Sequence, residues 1–217
     1  MKRLIVINPN SNATITRAMA AAVEDRQSPQ CRIDTEMLPE GPFGIESDAD
    51  IAAVVRPICN LIRARPVDGY VIGCYSDPGI DDARSVTEAP VFGIQESAAR
   101  FSTRFGDGFG VLALSQQSID RHLRYLQRIG LSGRLAGEHA LDMPVAEGTS
   151  TAAFARLLDG ARALKQQFDP TSIILGCTGM TIHRSALQNE IGLPVIDPTQ
   201  AAVDLALERL WADSTEL

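Results

Sequence analysis

Lysine is nearly missing from this chain: of its 20 basic residues only Lys2 and Lys165 are lysines, and the rest are arginines. The arginines are scattered and build no basic stripe, and the formal net charge is −7. A nucleic-acid binder carries a basic face, so nucleic acid is not an expected partner. Long apolar runs are missing too. The start Lys2-Arg3 is followed only by Leu4 to Ile7 before Asn8-Pro9-Asn10 intervenes. That run is too short for a signal-peptide core or a membrane span. A cytoplasmic protein with no membrane partner is expected.

Paired metal ligands are likewise absent. The four cysteines, Cys31, Cys59, Cys74 and Cys177, form no CxxC pair, and His122, His139 and His183 form no HxxxH motif. Neither a metal site nor, in the cytosol, a disulfide is expected. There is no P-loop and no GxSxG elbow. Gly106, Gly108 and Gly110 precede an apolar run instead of following one, so they make no dinucleotide fingerprint.

What remains is an ordinary globular composition, 45% hydrophobic and 22% charged over 217 residues. Short apolar runs predict strands at 4–7, 69–73, 90–94, 110–114, 172–176 and 193–197, and the alternating stretch 31–37 predicts another. Helical patterns fall at 12–22, 48–63 (with Asp48 as cap), 118–128, 149–167 and 201–211. Strands alternating with helices argue for parallel sheets.

The chain also repeats itself. Residues 67–98 and 171–202 each give an apolar strand, Gly-Cys, a turn, a helix, a Pro-Val strand and another helix. Cys74 precedes Pro90 by 16 positions and Cys177 precedes Pro194 by 17. The run 4–19 resembles 110–126 in the same order. The expected fold is therefore α/β: two similar parallel-sheet lobes related by a pseudo-two-fold axis, with the site in the cleft between them. The expected first lobe is 1–97 plus 198–217, and the second is 98–197. Ligands in parallel α/β sheets bind beyond the carboxyl ends of strands, where both Gly-Cys pairs fall.

Two facing thiols suit proton transfer at a carbon beside a carbonyl. One thiolate removes a proton from one face and the opposite thiol returns one to the other. Turns into helices after each cysteine would favour the thiolates through the backbone dipole. The turns 76–79 and 178–180 would offer donors to a developing oxyanion. Buried cysteine is nevertheless common and inert, as expected for Cys31 and Cys59. The pattern alone leaves both readings open for Cys74 and Cys177.

Five segments in order resemble the hydantoin and allantoin racemases of the Asp/Glu/hydantoin racemase superfamily: INPNSN (7–12), GPFGIES (41–47), GCYSDPGIDDAR (73–84), PVFGIQESA (90–98) and LGCTGM (175–180). The resemblance implies a duplicated α/β fold, no cofactor, a homo-oligomer, and Cys74 and Cys177 as a two-base pair. It implies a small-molecule substrate, a 5-substituted hydantoin or allantoin. The amino-acid racemases of the superfamily open with an acidic turn where this chain has Asn8-Pro9-Asn10, and they usually follow the second cysteine with Thr-His or Thr-Glu where it has Thr178-Gly179. Amides suit a neutral ring, since they both donate and accept. The alternatives are an amino-acid racemase or another thiol-dependent isomerase or decarboxylase of the superfamily. The decarboxylases need one cysteine, so the intact pair counts against them.

Further candidate substrate contacts are Asn8, Asn10 and Ser11, which alternatively cap a helix (Ser11 or Asn12). Phe43 and Ile45 either line the cleft or anchor their loop. Ser76, Thr178 and Gly179 follow the cysteines, and Ser115 and Gln116 occupy the second lobe's equivalent of the Asn8–Asn10 turn. Asp77-Pro78-Gly79 reads first as turn chemistry.

Overall fold

The computed structural model describes residues 1–212. The first apolar run forms β1 (Lys2–Asn8), whose residues Leu4 to Ile7 are fully buried. It is central because it is apolar on both faces, as a strand covered by helices on both sides must be. After α1 (Ala13–Ala22), β2 (Cys31–Met37) pairs with one edge of β1, and after α2 (Asp48–Ala64), β3 (Gly69–Ile72) pairs with the other. The short α3 (Ile80–Ser85) leads to β4 (Val91–Gly93), beside β3. The sheet order is β2-β1-β3-β4, all parallel.

The second half repeats this plan. After α4 (Ile94–Ser102) come β5 (Phe109–Ala113), α5 (Gln116–Arg128), β6 (Leu135–Ala140), α6 (Ala153–Phe168), β7 (Ser172–Leu175), α7 (Arg184–Ile191), β8 (Val195–Ile196) and α8 (Pro198–Ala212). The order β6-β5-β7-β8 is again parallel. The repeat read from the sequence is thus a repeat of topology. In each sheet the chain reverses its direction of growth between the first and third strands, the position where open α/β sheets bind ligands. Two helices join the halves: α8, last in the chain, packs on α4 and on β3 of the first sheet, and α4 also touches β7 of the second. Of the expected closing segment 198–217, residues 213–217 lie outside the described residues.

Several local expectations need correction. The cap of α2 is Ser47, not Asp48: its hydroxyl accepts from the Asp50 amide while the Asp50 carboxylate accepts from the Ser47 amide. Of the two caps expected for α1, Ser11 or Asn12, it is Asn12 that serves, accepting from the Thr14 amide at 3.0 Å. Residues 149–152 form turns, and α6 starts only at Ala153. The sequence reading missed β6 altogether. Its residues, LAGEHA, are all half-buried and show neither an alternation nor an apolar run. Among the described residues, no helix is long and apolar enough to cross a membrane.

Candidate active site

Each cysteine follows a glycine that carries the ladder one bond past the strand. The Gly73 amide donates to Ile7 O at 2.8 Å, and the Gly176 amide donates to Leu112 O at 2.9 Å. Neighbouring strands pass so close there that a Cβ on Gly176 would sit 2.4 Å from Leu112 O, and one on Gly73 would sit 3.0 Å from Ile7 O. Glycine is the residue that fits, and the next side chain, the thiol, emerges at the sheet's carboxyl edge.

The chain then turns sharply. Cys74 O accepts from the amides of Ser76 and Asp77 at 2.8 and 3.0 Å. Asp77 adopts a left-handed backbone (φ 43°), tolerable for a short polar residue. Its carboxylate accepts from the Gln95 and Glu96 amides at 2.9 and 2.8 Å, tying the thiol turn to the start of α4. In the second lobe Cys177 caps a 3-10 segment, 178–183, and its carbonyl accepts from the Met180 amide at 3.1 Å. There the carboxylate comes from the strand end instead: Asp197 accepts from the Thr199 and Gln200 amides at 2.8 and 2.9 Å.

Each thiol turn docks on the opposite lobe. The Tyr75 ring meets the His122 ring of α5 edge-on, with centroids 4.8 Å apart. The segment 178–183 packs on α1, where Ile15 reaches Gly179. The Thr178 hydroxyl donates to Gly73 O at 3.5 Å. These contacts bring Cys74 and Cys177 to the walls of one pocket, from opposite lobes. The free space between them is about 30 Å³, room for a water or two. Beside the pocket residues Ile45 and Val145, the Glu46 carboxylate accepts from the Val145 amide at 2.9 Å.

Burial dominates the electrostatics. It pushes the Cys177 thiol up to about 11, with the Gly179 amide opposing and the Glu46 carboxylate adding to the rise. It pushes the Cys74 thiol higher still, helped by Cys177 and Asp77 and opposed by Arg121 and the Ser76 amide. The nearby amides do favour both thiolates, but desolvation outweighs them. Burial also lifts the Asp77 carboxyl to about 7, against the two amides it accepts from. His122 Nδ1 lies 2.8 Å from Glu138 Oε2 in a pair with at most 2% of either side chain exposed.

Of the sequence-predicted residues, Cys74, Cys177, Asn10, Ile45, Ser76 and Thr178 line this pocket. Asn8 does not: its amide nitrogen donates to Asn10 Oδ1 and Thr16 Oγ1, holding the turn in shape. The Ser11 amide binds Pro42 O, Phe43 is 63% exposed, and Gly179 packs on Ile15. Ser115 caps α5, and Gln116 is exposed. Cys31 and Cys59 are buried elsewhere.

Sequence reasoning missed Ser118, Arg121 and His122 of α5, as well as Leu114 and Val145. Ser118, His122, Tyr125 and Leu126 form the buried stripe of α5. That i, i+4, i+7, i+8 spacing was a legible signal for the face turned inward.

Residues 4–206 match the family described as Asp/Glu/Hydantoin racemase. The chain is 32% identical to a hydantoin racemase of Paenarthrobacter aurescens, over 94% of this chain and 89% of that protein. Among solved structures, an allantoin racemase from Klebsiella pneumoniae superposes with TM-score 0.92 at 30% identity, covering 99% of this chain and 89% of that one. An allantoin racemase from Pseudomonas fluorescens shares the fold at TM-score 0.92 and 24% identity, covering 97% and 92%.

Proposed function

The chain belongs to the Asp/Glu/Hydantoin racemase family and is an isomerase, and from that premise we propose that it racemises a cyclic ureide, a 5-substituted hydantoin or allantoin, with Cys74 and Cys177 as its two proton-transfer groups. The observation that carries this reading is that the two thiols line one pocket from opposite lobes. A C5 carbon held between them presents its hydrogen to one thiol and its vacant face to the other. One cysteine, as thiolate, takes the C5 proton, and the electron pair spreads into the C4 carbonyl. The other thiol then donates its proton to the opposite face. The product is the mirror-image ureide, with the thiolate now on the second side. No electron changes hands and no cofactor is called for.

The raised thiols fit the task in a particular way. Burial favours the protonated form of both thiols, so the starting thiolate forms by loss of one proton to solvent before the site closes on the substrate. A thiol lifted out of water is a stronger base once deprotonated, which narrows the gap to a carbon acid. Asn10, Ser76 and Thr178 supply side-chain groups that can donate to and accept from a neutral ring. A ring does not fit about 30 Å³. Substrate entry therefore requires the pocket to widen, and closure would strip water from the reacting carbon.

The test is C5 hydrogen–deuterium exchange with each hydantoin enantiomer in D2O. The unmodified protein is expected to exchange both. Cys74→Ser and Cys177→Ser are each expected to abolish racemisation, each losing abstraction from a different enantiomer. Full racemisation by either variant rules out the two-thiol mechanism.

A further inference from the structure

We infer that the ureide this protein takes carries an anionic, carboxylate-bearing substituent at C5, received by Arg121. This rests on the ureide reading above and narrows its substrate class.

Arg121 lies on α5 and lines the thiol pocket. Its side chain is only 9% exposed. The Nε is buried and has no hydrogen-bond partner among the described residues. One terminal nitrogen donates to Ser118 Oγ at 3.2 Å, a neutral partner. Its ion pair is with Asp48, at 3.7 Å, and that carboxylate is 75% exposed and shared with Arg124 at 3.8 Å. Asp50 also acts on Arg121, but its carboxylate is bonded to the Glu46 and Ser47 amides and the Ser47 hydroxyl, and water screens the Asp48 contact heavily, so among the described residues no carboxylate is hydrogen-bonded to this guanidinium.

The other carboxylates around the pocket are committed elsewhere. Asp77 accepts from the amides of α4, Glu138 faces His122, and Glu46 accepts from Val145. Arg121 is then the one permanent charge among the described residues lining the pocket. A buried guanidinium with an unfilled donor is costly for a folded chain, and a bound anion removes that cost. The guanidinium fork suits a planar carboxylate, which accepts two parallel bonds.

Position favours the substituent over the ring. Arg121 also lines a second, open pocket of about 300 Å³, together with Ser47, Gln117 and Arg124 and the carboxylates of Asp48 and Asp120, so an anion reaching it must be held by the two guanidinium groups against those carboxylates. Arg121 therefore stands where the thiol pocket meets the outside. With C5 between the thiols, a short chain from C5 can reach outward to this point. The same charge helps the Cys74 thiolate, so Arg121 has two readings that experiment can separate.

The probes are a matched pair, hydantoin-5-acetic acid and hydantoin-5-acetamide, with C5 deuterium exchange read for both. In the unmodified protein kcat/KM for the acid is expected to exceed that for the amide about tenfold or more. Arg121→Gln is expected to collapse that ratio towards one, and Arg121→Lys to retain part of it. No preference for the acid in the unmodified protein overturns the inference. So does an Arg121→Gln variant in which both substrates decline equally, since Arg121 would then act through Cys74 or the fold. Exchange with neither compound overturns the inference, and the ureide reading falls as well only if allantoin and alkyl and aryl hydantoins also fail to exchange. Exchange without acid preference refutes the inference alone.

Discussion

Val145 and Glu46 meet across the cleft: the amide of one lobe donates to the carboxylate of the other at 2.9 Å. Glu46 comes from the loop after β2, and Val145 from the segment between β6 and α6. Ile45 and Val145 both line the thiol pocket, so this bond lies beside the site.

Removing that acceptor should loosen this contact between the lobes without unfolding the protein. Glu46→Ala is expected to cost about 1 kcal/mol or less in urea denaturation. It should also abolish the protection of the Val145 amide in hydrogen exchange. Glu46→Gln keeps an oxygen acceptor and should preserve the protection. Both variants remove a negative charge that lifts Cys177, so its thiol should titrate lower in each. An unchanged Val145 exchange rate in Glu46→Ala would show that the bond does not join the lobes.

Alkaline stability should report the buried thiol. The Cys177 thiol is raised from its ordinary 9.0 to about 11, chiefly by burial. The native state therefore holds this proton more tightly than the unfolded chain does. Its stabilising contribution is complete below about pH 9 and is lost as pH rises towards about 11. The loss is on the order of 2 kcal/mol. Cys177→Ser should flatten the decline in urea midpoint between those pH values. Parallel curves for the two proteins would contradict the assignment.

Gly176→Ala should destabilise through a single atom. The new Cβ would stand 2.4 Å from Leu112 O, a backbone atom in the centre of the second sheet. A cost of about 2 kcal/mol or more is expected, because strands and not side chains must shift. Gly133→Ala is the control: its Cβ would meet nothing within 4 Å. A thermal melt showing equal effects would refute the close-approach account of the Gly-Cys pair.

The pair of His122 and Glu138 should matter more than any surface ion pair. Burial raises the Glu138 carboxyl, and His122 partly offsets the rise. Glu138→Ala leaves a buried imidazole without its partner and is expected to cost about 3 kcal/mol. Glu208→Ala breaks the exposed pair with Arg104 and is expected to cost under about 1 kcal/mol. Chemical denaturation of the two variants gives the comparison.

Much of this protein was written locally. The apolar run at Leu4 to Ile7 and those that formed β3, β5 and β7 made the central strands visible, because strands covered on both faces need continuous apolar sequence. Gly-Cys at equivalent places in the two halves marked the duplication and set Cys74 and Cys177 apart from Cys31 and Cys59. Strand β6 stayed hidden because its residues, LAGEHA, show neither an alternation nor an apolar run. Tertiary structure alone decided which groups share the pocket. Asn8 looked like a contact and turned out to hold a turn, while Arg121 and His122 came from a helix whose periodicity marks its inward face but not the pocket that face lines. The thiols' protonation was decided there as well. A sequence reveals the amides that would stabilise a thiolate but not the depth of burial that opposes them, because burial is set by the other lobe.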